Sequence, residues 1–173
     1  ELAEVERLAQ QAEAVYHLKQ ESKFEKLWEA LQEHQEHKVL IFTEHKDTLD
    51  FLIDRLTGKG FGDEIAFIHG GIDYSDRLQA VERFNSGDAK YMIATDAAGE
   101  GLNMQEACWI LVNYDIPWNP ARLEQRMGRI HRYKQRHHVL ILNLVADETR
   151  EGKVLKTLLE KLERIREELG DKV

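Results

Sequence analysis

Five short apolar runs, at residues 39–42, 65–68, 91–94, 109–112 and 139–145, limit what this chain can fold into. Each is too short for a core helix and too uniformly apolar for a strand with one wet face. Each therefore reads as a strand buried on both sides. Between them, residues 47–56, 75–84 and 120–132 have helical spacing and enough length to cross over between parallel strands. The alternation predicts an α/β fold, a parallel sheet flanked by helices. Upstream, residues 1–37 read as helix, because Leu2, Val5, Leu8, Ala12 and Val15 recur at three and four, as do Phe24, Leu27, Trp28 and Leu31. Downstream, Val154, Leu155, Leu158, Leu159, Leu162, Ile165 and Leu169 mark an amphipathic closing helix. The expected organisation is an N-terminal helical segment over 1–37, the α/β unit over 38–147 and the C-terminal amphipathic helix over 148–173.

The charge is unevenly spread. Lys and Arg number 24 against 32 Asp and Glu, a net of -8. Residues 1–37 hold 4 basic and 9 acidic side chains, whereas residues 122–138 hold Arg122, Arg126, Arg129, Arg132, Lys134 and Arg136 against Glu124 alone, a local +5. Polyanion binding follows the local field rather than the total, so this basic island is a functional hint. Cys108 is the single cysteine and cannot close an intrachain disulfide; no terminus shows a basic-then-apolar signal segment. A reducing, cytoplasmic setting is expected. No apolar run approaches the ~20 residues of a membrane helix, so no membrane partner is expected.

Right-handed crossovers place working loops at the carboxyl ends of the strands, here residues 43–46, 69–72, 95–103 and 113–119. The strongest local signal is Gln125-Arg126-Met127-Gly128-Arg129-Ile130-His131-Arg132-Tyr133-Lys134-Gln135, preceded by the cap and first-turn pair Asn119-Pro120. At about 100° per residue, Arg126, Arg129 and Arg132 fall within about 80° of Arg122. Leu123, Met127 and Ile130 fall on the apolar side. One basic face and one sheet-packed face are predicted. Guanidiniums bind phosphate bidentately and keep their charge, as a phosphoryl-transfer transition state requires. Charge patterning alone also suits a solvated basic face. A second signal, Ala94-Thr95-Asp96-Ala97-Ala98-Gly99-Glu100-Gly101-Leu102-Asn103-Met104-Gln105, follows an apolar strand. Its glycines permit close backbone approach, and Thr95 and Asn103 offer polar groups to phosphate or ribose, although two glycines also suit a plain turn. A third, His69-Gly70-Gly71, is open to the same two readings.

In order along the chain, Val39-Leu40-Ile41-Phe42-Thr43, His69-Gly70-Gly71 with Arg77 and Arg83-Phe84-Asn85, then 94–105 and 125–135 resemble the second, C-terminal RecA-like lobe of superfamily 2 helicases. The pattern Gln-x-x-x-Arg-x-His-Arg-x-x-Gln, with Asn113-Tyr114-Asp115-Ile116-Pro117-Trp118-Asn119-Pro120, resembles Snf-type translocases, and 113–132 is most similar to bacterial RapA-type members. Lys134 departs from the Gly of many Snf-type members. The resemblance implies one lobe of an ATP-dependent double-stranded DNA translocase. ATP with Mg would be held mainly by the N-terminal RecA-like lobe of the same polypeptide, so the isolated piece would be nearly inactive. It further implies catalytic roles for Arg129, Arg132 and Gln125, Arg132 being the arginine finger. Gly101 and Asn103, with the two arginines, would lie beside the nucleotide; Thr43, His69, Gly70 and Thr95 would lie near the nucleic-acid backbone. Two rival readings are a noncatalytic RecA-like module whose acidic helices bind a protein, and a lobe of a strand-unwinding DNA or RNA helicase.

Some features mislead. The sequence has no Gly-x-x-x-x-Gly-Lys-Ser/Thr phosphate loop, and Gly58-Lys59-Gly60 reads as a turn. Asp147-Glu148 imitates a magnesium-binding pair but lacks that loop upstream. Neither His131, His137 and His138 with Cys108 nor His34 with His37 has metal-ligand spacing, and no metal is expected in this chain. Trp109 and Trp118 are expected to pack in core or loop rather than stack on bases.

Overall fold

A computed structural model describes residues 2–18, 22–96, 104, 106–131, 135–145, 152–154 and 156–157. The five apolar runs are strands: β1 (Val39–Thr43), β2 (Ile65–Ile68), β3 (Tyr91–Thr95), β4 (Ile110–Asn113) and β5 (Leu140–Asn143). They form one sheet of order β2-β3-β1-β4-β5 in which every pairing is parallel. The helices are α1 (Leu2–Leu18), α2 (Ser22–Glu33), α3 (Lys46–Gly58), α4 (Tyr74–Ser86) and α5 (Pro120–Met127).

Successive side chains of a strand point to opposite faces, and here both faces are filled. Leu40, Phe42, Ala66, Ile68, Met92, Ala94 and Leu111 pack with Ala80 and Phe84 of α4, beside Met104, Cys108 and Ile130. Val39, Ile41, Ile65, Tyr91, Ile93, Ile110 and Val112 pack with Phe24, Leu27 and Leu31 of α2 and Leu49, Leu52 and Leu56 of α3. The inner strands β1, β3 and β4 are buried throughout, while the edges are not: Phe67 of β2 is 39% exposed. The step from β1 outward to β2 runs through α3 on one face. The returning steps run over the other face, as crossovers of a single hand require.

Packing runs continuously across residue 37, because α2 shares a core with α3 and the sheet. By contrast, Leu2, Val5 and Leu8 of α1 are exposed. The expected C-terminal helix lies outside the described residues except for 152–154 and 156–157, which are helical. Gly87 ends α4 at φ 103°, a left-handed conformation that favours glycine. Lys38 closes the same helix end by donating to the carbonyls of Phe84 at 2.5 Å and Asn85 at 3.0 Å.

Two buried groups give stability predictions. The Tyr91 hydroxyl is buried with no hydrogen-bond partner among the described residues, and burial raises the tyrosine pKa. An orphaned polar group costs about 1–3 kcal/mol, so Tyr91→Phe is expected to match or exceed the parent in denaturant unfolding. Cys108 lies with its thiol against the carbonyls of Lys38 at 3.2 Å and Ile110 at 3.1 Å, and burial pushes its pKa up from 9.0 to about 11. Above pH 9 the unfolded thiol loses its proton before the folded one does. The unfolded state then binds fewer protons, and this contribution to stability falls as the pH rises toward about 11. At pH 8 the thiol is expected to react with a disulfide reagent only as fast as the protein unfolds; immediate labelling in native buffer would contradict this burial.

Candidate functional site

The carboxyl ends of the strands gather at one rim, where β1 and β3 end side by side with Thr43 and Thr95 in register. Helix α5 opens beside it as expected: Pro120 is in the first turn and the Asn119 side chain accepts from the Ala121 N–H at 3.0 Å. The helix is shorter than its spacing predicts. It ends at Met127 rather than running to 132. Past Gly128 the chain tightens, with Arg129 N–H donating to the Arg126 carbonyl and Ile130 N–H to the Met127 carbonyl, both at 3.1 Å. Glycine lowers helix propensity there, and Ile130 is drawn into the core beside α4.

The larger correction concerns Arg126, which was expected on the exposed basic face and is instead 1% exposed. Its Nε and Nη2 donate to the two carboxylate oxygens of Asp96 at 2.6 and 2.9 Å. Nη1 donates to Asn113 Oδ1 at 3.0 Å and to the Asp115 carbonyl at 2.6 Å. The guanidinium also lies over the Phe42 ring, 5.3 Å from its centroid. The basic face is thus built from fewer cations than the sequence suggests. Arg122 remains exposed and meets Glu44 at 3.3 Å; Arg129 is half-buried and Gln125 exposed.

Thr43 and Thr95 are both buried. The Thr43 hydroxyl donates to Asp115 Oδ2 at 2.5 Å, and Glu44 N–H donates to Oδ1 of the same carboxylate at 2.7 Å. The Thr43 hydroxyl is thus already engaged by Asp115 at the carboxyl end of β1. His69 and Gly70 lie past β2, His69 half-buried and Gly70 exposed. His69 Nδ1 accepts from the Gly71 N–H at 3.1 Å, which leaves Nε2 as the protonated nitrogen of the neutral ring. Gly101, Asn103, Arg132 and Asp147-Glu148 lie outside the described residues. Trp109 packs as expected, its ring 3.9 Å from that of His137 and 5.1 Å from that of His37. Trp118 does not pack: it is 64% exposed in the loop before α5. No group of three or more His, Cys, Asp or Glu suited to a metal ion occurs among the described residues, and no described helix is long and apolar enough to cross a membrane.

Sequence reasoning missed Asp96, Asn113 and Asp115 as well as the role of Arg126. A signal was present: on the helical wheel Arg126 lies only about 40° from Ile130. Polar residues at the ends of apolar strands were the matching half, and Asn113 and Asn143 indeed pair in register, Nδ2 to Oδ1 at 2.8 Å.

The five-stranded parallel sheet, its flanking helices and the order of motifs along its carboxyl rim define a RecA-like helicase C-terminal lobe. Residues 22–134 match the family model of the helicase conserved C-terminal domain, and the chain belongs to that family. It is 40% identical over 134 residues to the ATP-dependent helicase YqhH of Bacillus subtilis, an alignment covering 78% of this chain and 23% of that protein. It is 35% identical over 128 residues to the ISWI chromatin-remodeling complex ATPase ISW1 of Saccharomyces cerevisiae, covering 72% and 11%. In three dimensions it matches the C-terminal part of the Fun30 ATPase domain with a TM-score of 0.72 at 25% identity, over 79% of this chain and 45% of that one. The chain spans less than a quarter of either curated relative.

Proposed function

We propose that this chain is the C-terminal lobe of a Snf-type, ATP-dependent double-stranded DNA translocase of RapA-like kind, working with an N-terminal RecA-like lobe that holds most of the ATP and Mg. The observation that carries the reading is convergence. The α5 arginine segment is tied to both ends of the 97–103 segment, by the Arg126 side chain to Asp96 and by the Arg129 carbonyl to Met104 N–H, in a helicase-family sheet. The donor set suits a polyphosphate: Arg129 brings permanent charge, Gln125 an uncharged donor, and Arg132 a second guanidinium from the same segment. ATP supplies the phosphoryl group whose transfer releases energy. Arg132, and secondarily Arg129, stabilise the charge that develops on that group, while Gly101 and Asn103 border the nucleotide. His69 and Gly70 grip backbone phosphates without reading bases, with His69 Nε2–H as donor.

The test is ATP hydrolysis by the full-length protein with duplex DNA, single-stranded DNA and RNA. Preferential stimulation by duplex DNA is expected. Preference for RNA or single strands would favour the unwinding helicase, and absence of any nucleic-acid stimulation would favour the noncatalytic module.

A further inference from the structure

We propose that Arg126 is a positioning residue that locks the Arg129-bearing segment to the nucleic-acid end of β1, so that hydrolysis responds to the track. This rests on the translocase reading. A guanidinium has five N–H donors. Four are bonded within the chain, and the Nη2 group that bonds Asp96 also faces Asp115 Oδ1 at 3.6 Å. At 1% exposure, with four of its donors bonded and the fifth turned toward Asp115, Arg126 is not presented to a phosphate, although it stands in the same motif as Arg129.

What it does instead is join the strand ends. Asp96 follows β3, Asn113 ends β4 and Asp115 follows β4. Through Asp115 the link continues to Thr43 and Glu44 at the end of β1, and through Asn113 to Asn143 of β5. The segment 97–103 is fastened at both its ends to the same turn of chain. Asp96 is held by the Arg126 side chain, and Met104 N–H donates to the Arg129 carbonyl at 3.3 Å. The local charge balances as well. Carboxylates of Asp96 and Asp115 face Arg126, and Lys23, its Nζ 4.8 Å from the Tyr114 ring centroid, has its pKa lowered by burial, an effect that the charge of Asp115 partly offsets. A planar fork held on several sides is rigid, and a lysine with its point charge does not span the same acceptors.

The experiment compares full-length wild type with Arg126→Lys and Asp115→Asn, measuring ATP hydrolysis against ATP concentration with and without duplex DNA. Thermal unfolding confirms that each variant melts cooperatively. Misplacing the arginines and their link to the track is expected to lower DNA-stimulated kcat about tenfold or more with a much smaller change in KM. The ratio of stimulated to basal rate falls with it. A folded variant that keeps the wild-type ratio, including one that loses basal and stimulated rates equally, overturns the proposal, since a purely structural role predicts that pattern. If Arg126→Lys does not fold, Asp115→Asn, which keeps shape and removes charge, decides. Wild type without any DNA stimulation removes the translocase reading and this inference together; stimulated wild type with unaffected variants removes only this inference.

Discussion

On the proposed translocase reading, Arg132→Ala in the full-length protein is expected to lower nucleic-acid-stimulated ATP hydrolysis by about 10³-fold or more, with ATP binding changed far less. The reason is where charge develops. Phosphoryl transfer loads negative charge on the migrating group, and a guanidinium aimed at it stabilises the transition state more than the bound ground state. Arg132→Lys recovers little, because an ammonium lacks the planar fork. Arg129→Ala serves as the comparison and is expected to fall less steeply. Steady-state kinetics over a range of ATP concentration separates kcat from KM. Wild-type turnover in Arg132→Ala would remove the finger assignment and leave Arg129 as the sole candidate.

Arg126→Ala is expected to act on a different quantity, the stability of the fold. Removing the guanidinium strands the Asp96 carboxylate, whose side chain is only 16% exposed, and leaves the Asn113 oxygen and the Asp115 carbonyl without their donor. Breaking a buried pair from one side costs about 3–5 kcal/mol, and the partial exposure of the carboxylate places this site near the lower figure. For a chain of this size that is a fall in Tm of roughly 10 °C. Exposed Arg122→Ala, which loses only a 3.3 Å surface pair with Glu44, is the control and is expected to change stability by less than about 1 kcal/mol. A double substitution of Arg126 and Asp96 to alanine costs less than the sum of its parts, because the two share one interaction. Equal melting of Arg126→Ala and Arg122→Ala would show that the buried network contributes nothing.

These two arginines sit in one motif, and the sequence alone assigned both to a single exposed face. The wheel failed for a definite reason. It orders residues around a helix axis, but it does not record which side chains from elsewhere meet that face. Asp96 and Asp115 arrive from loops 30 and 11 residues away and supply an ionic socket exactly where an apolar stripe would otherwise begin. A long arginine can be drawn into such a socket, and a helix predicted over 120–132 can be cut at Met127 when Ile130 gains more by entering the core than by staying helical. The same oversight affected Thr43, whose hydroxyl faces a carboxylate that lies 72 residues away in sequence.

The strands were legible for the opposite reason. Burial on both faces demands apolar residues at every position, a local signal that needs no partner to be read, and the inner strands are buried throughout. Helix α4, the Asn119 cap and the left-handed Gly87 are likewise dictated within a few residues. From sequence alone, then, come the parallel α/β architecture, the loops that carry the motifs and the resemblance to a helicase lobe. Tertiary structure alone decided which cation of the motif turns inward and which hydroxyl of the rim is already engaged. Apolar burial is written into neighbouring residues, whereas a buried charge is stable only where distant chain delivers its counter-charge and hydrogen bonds.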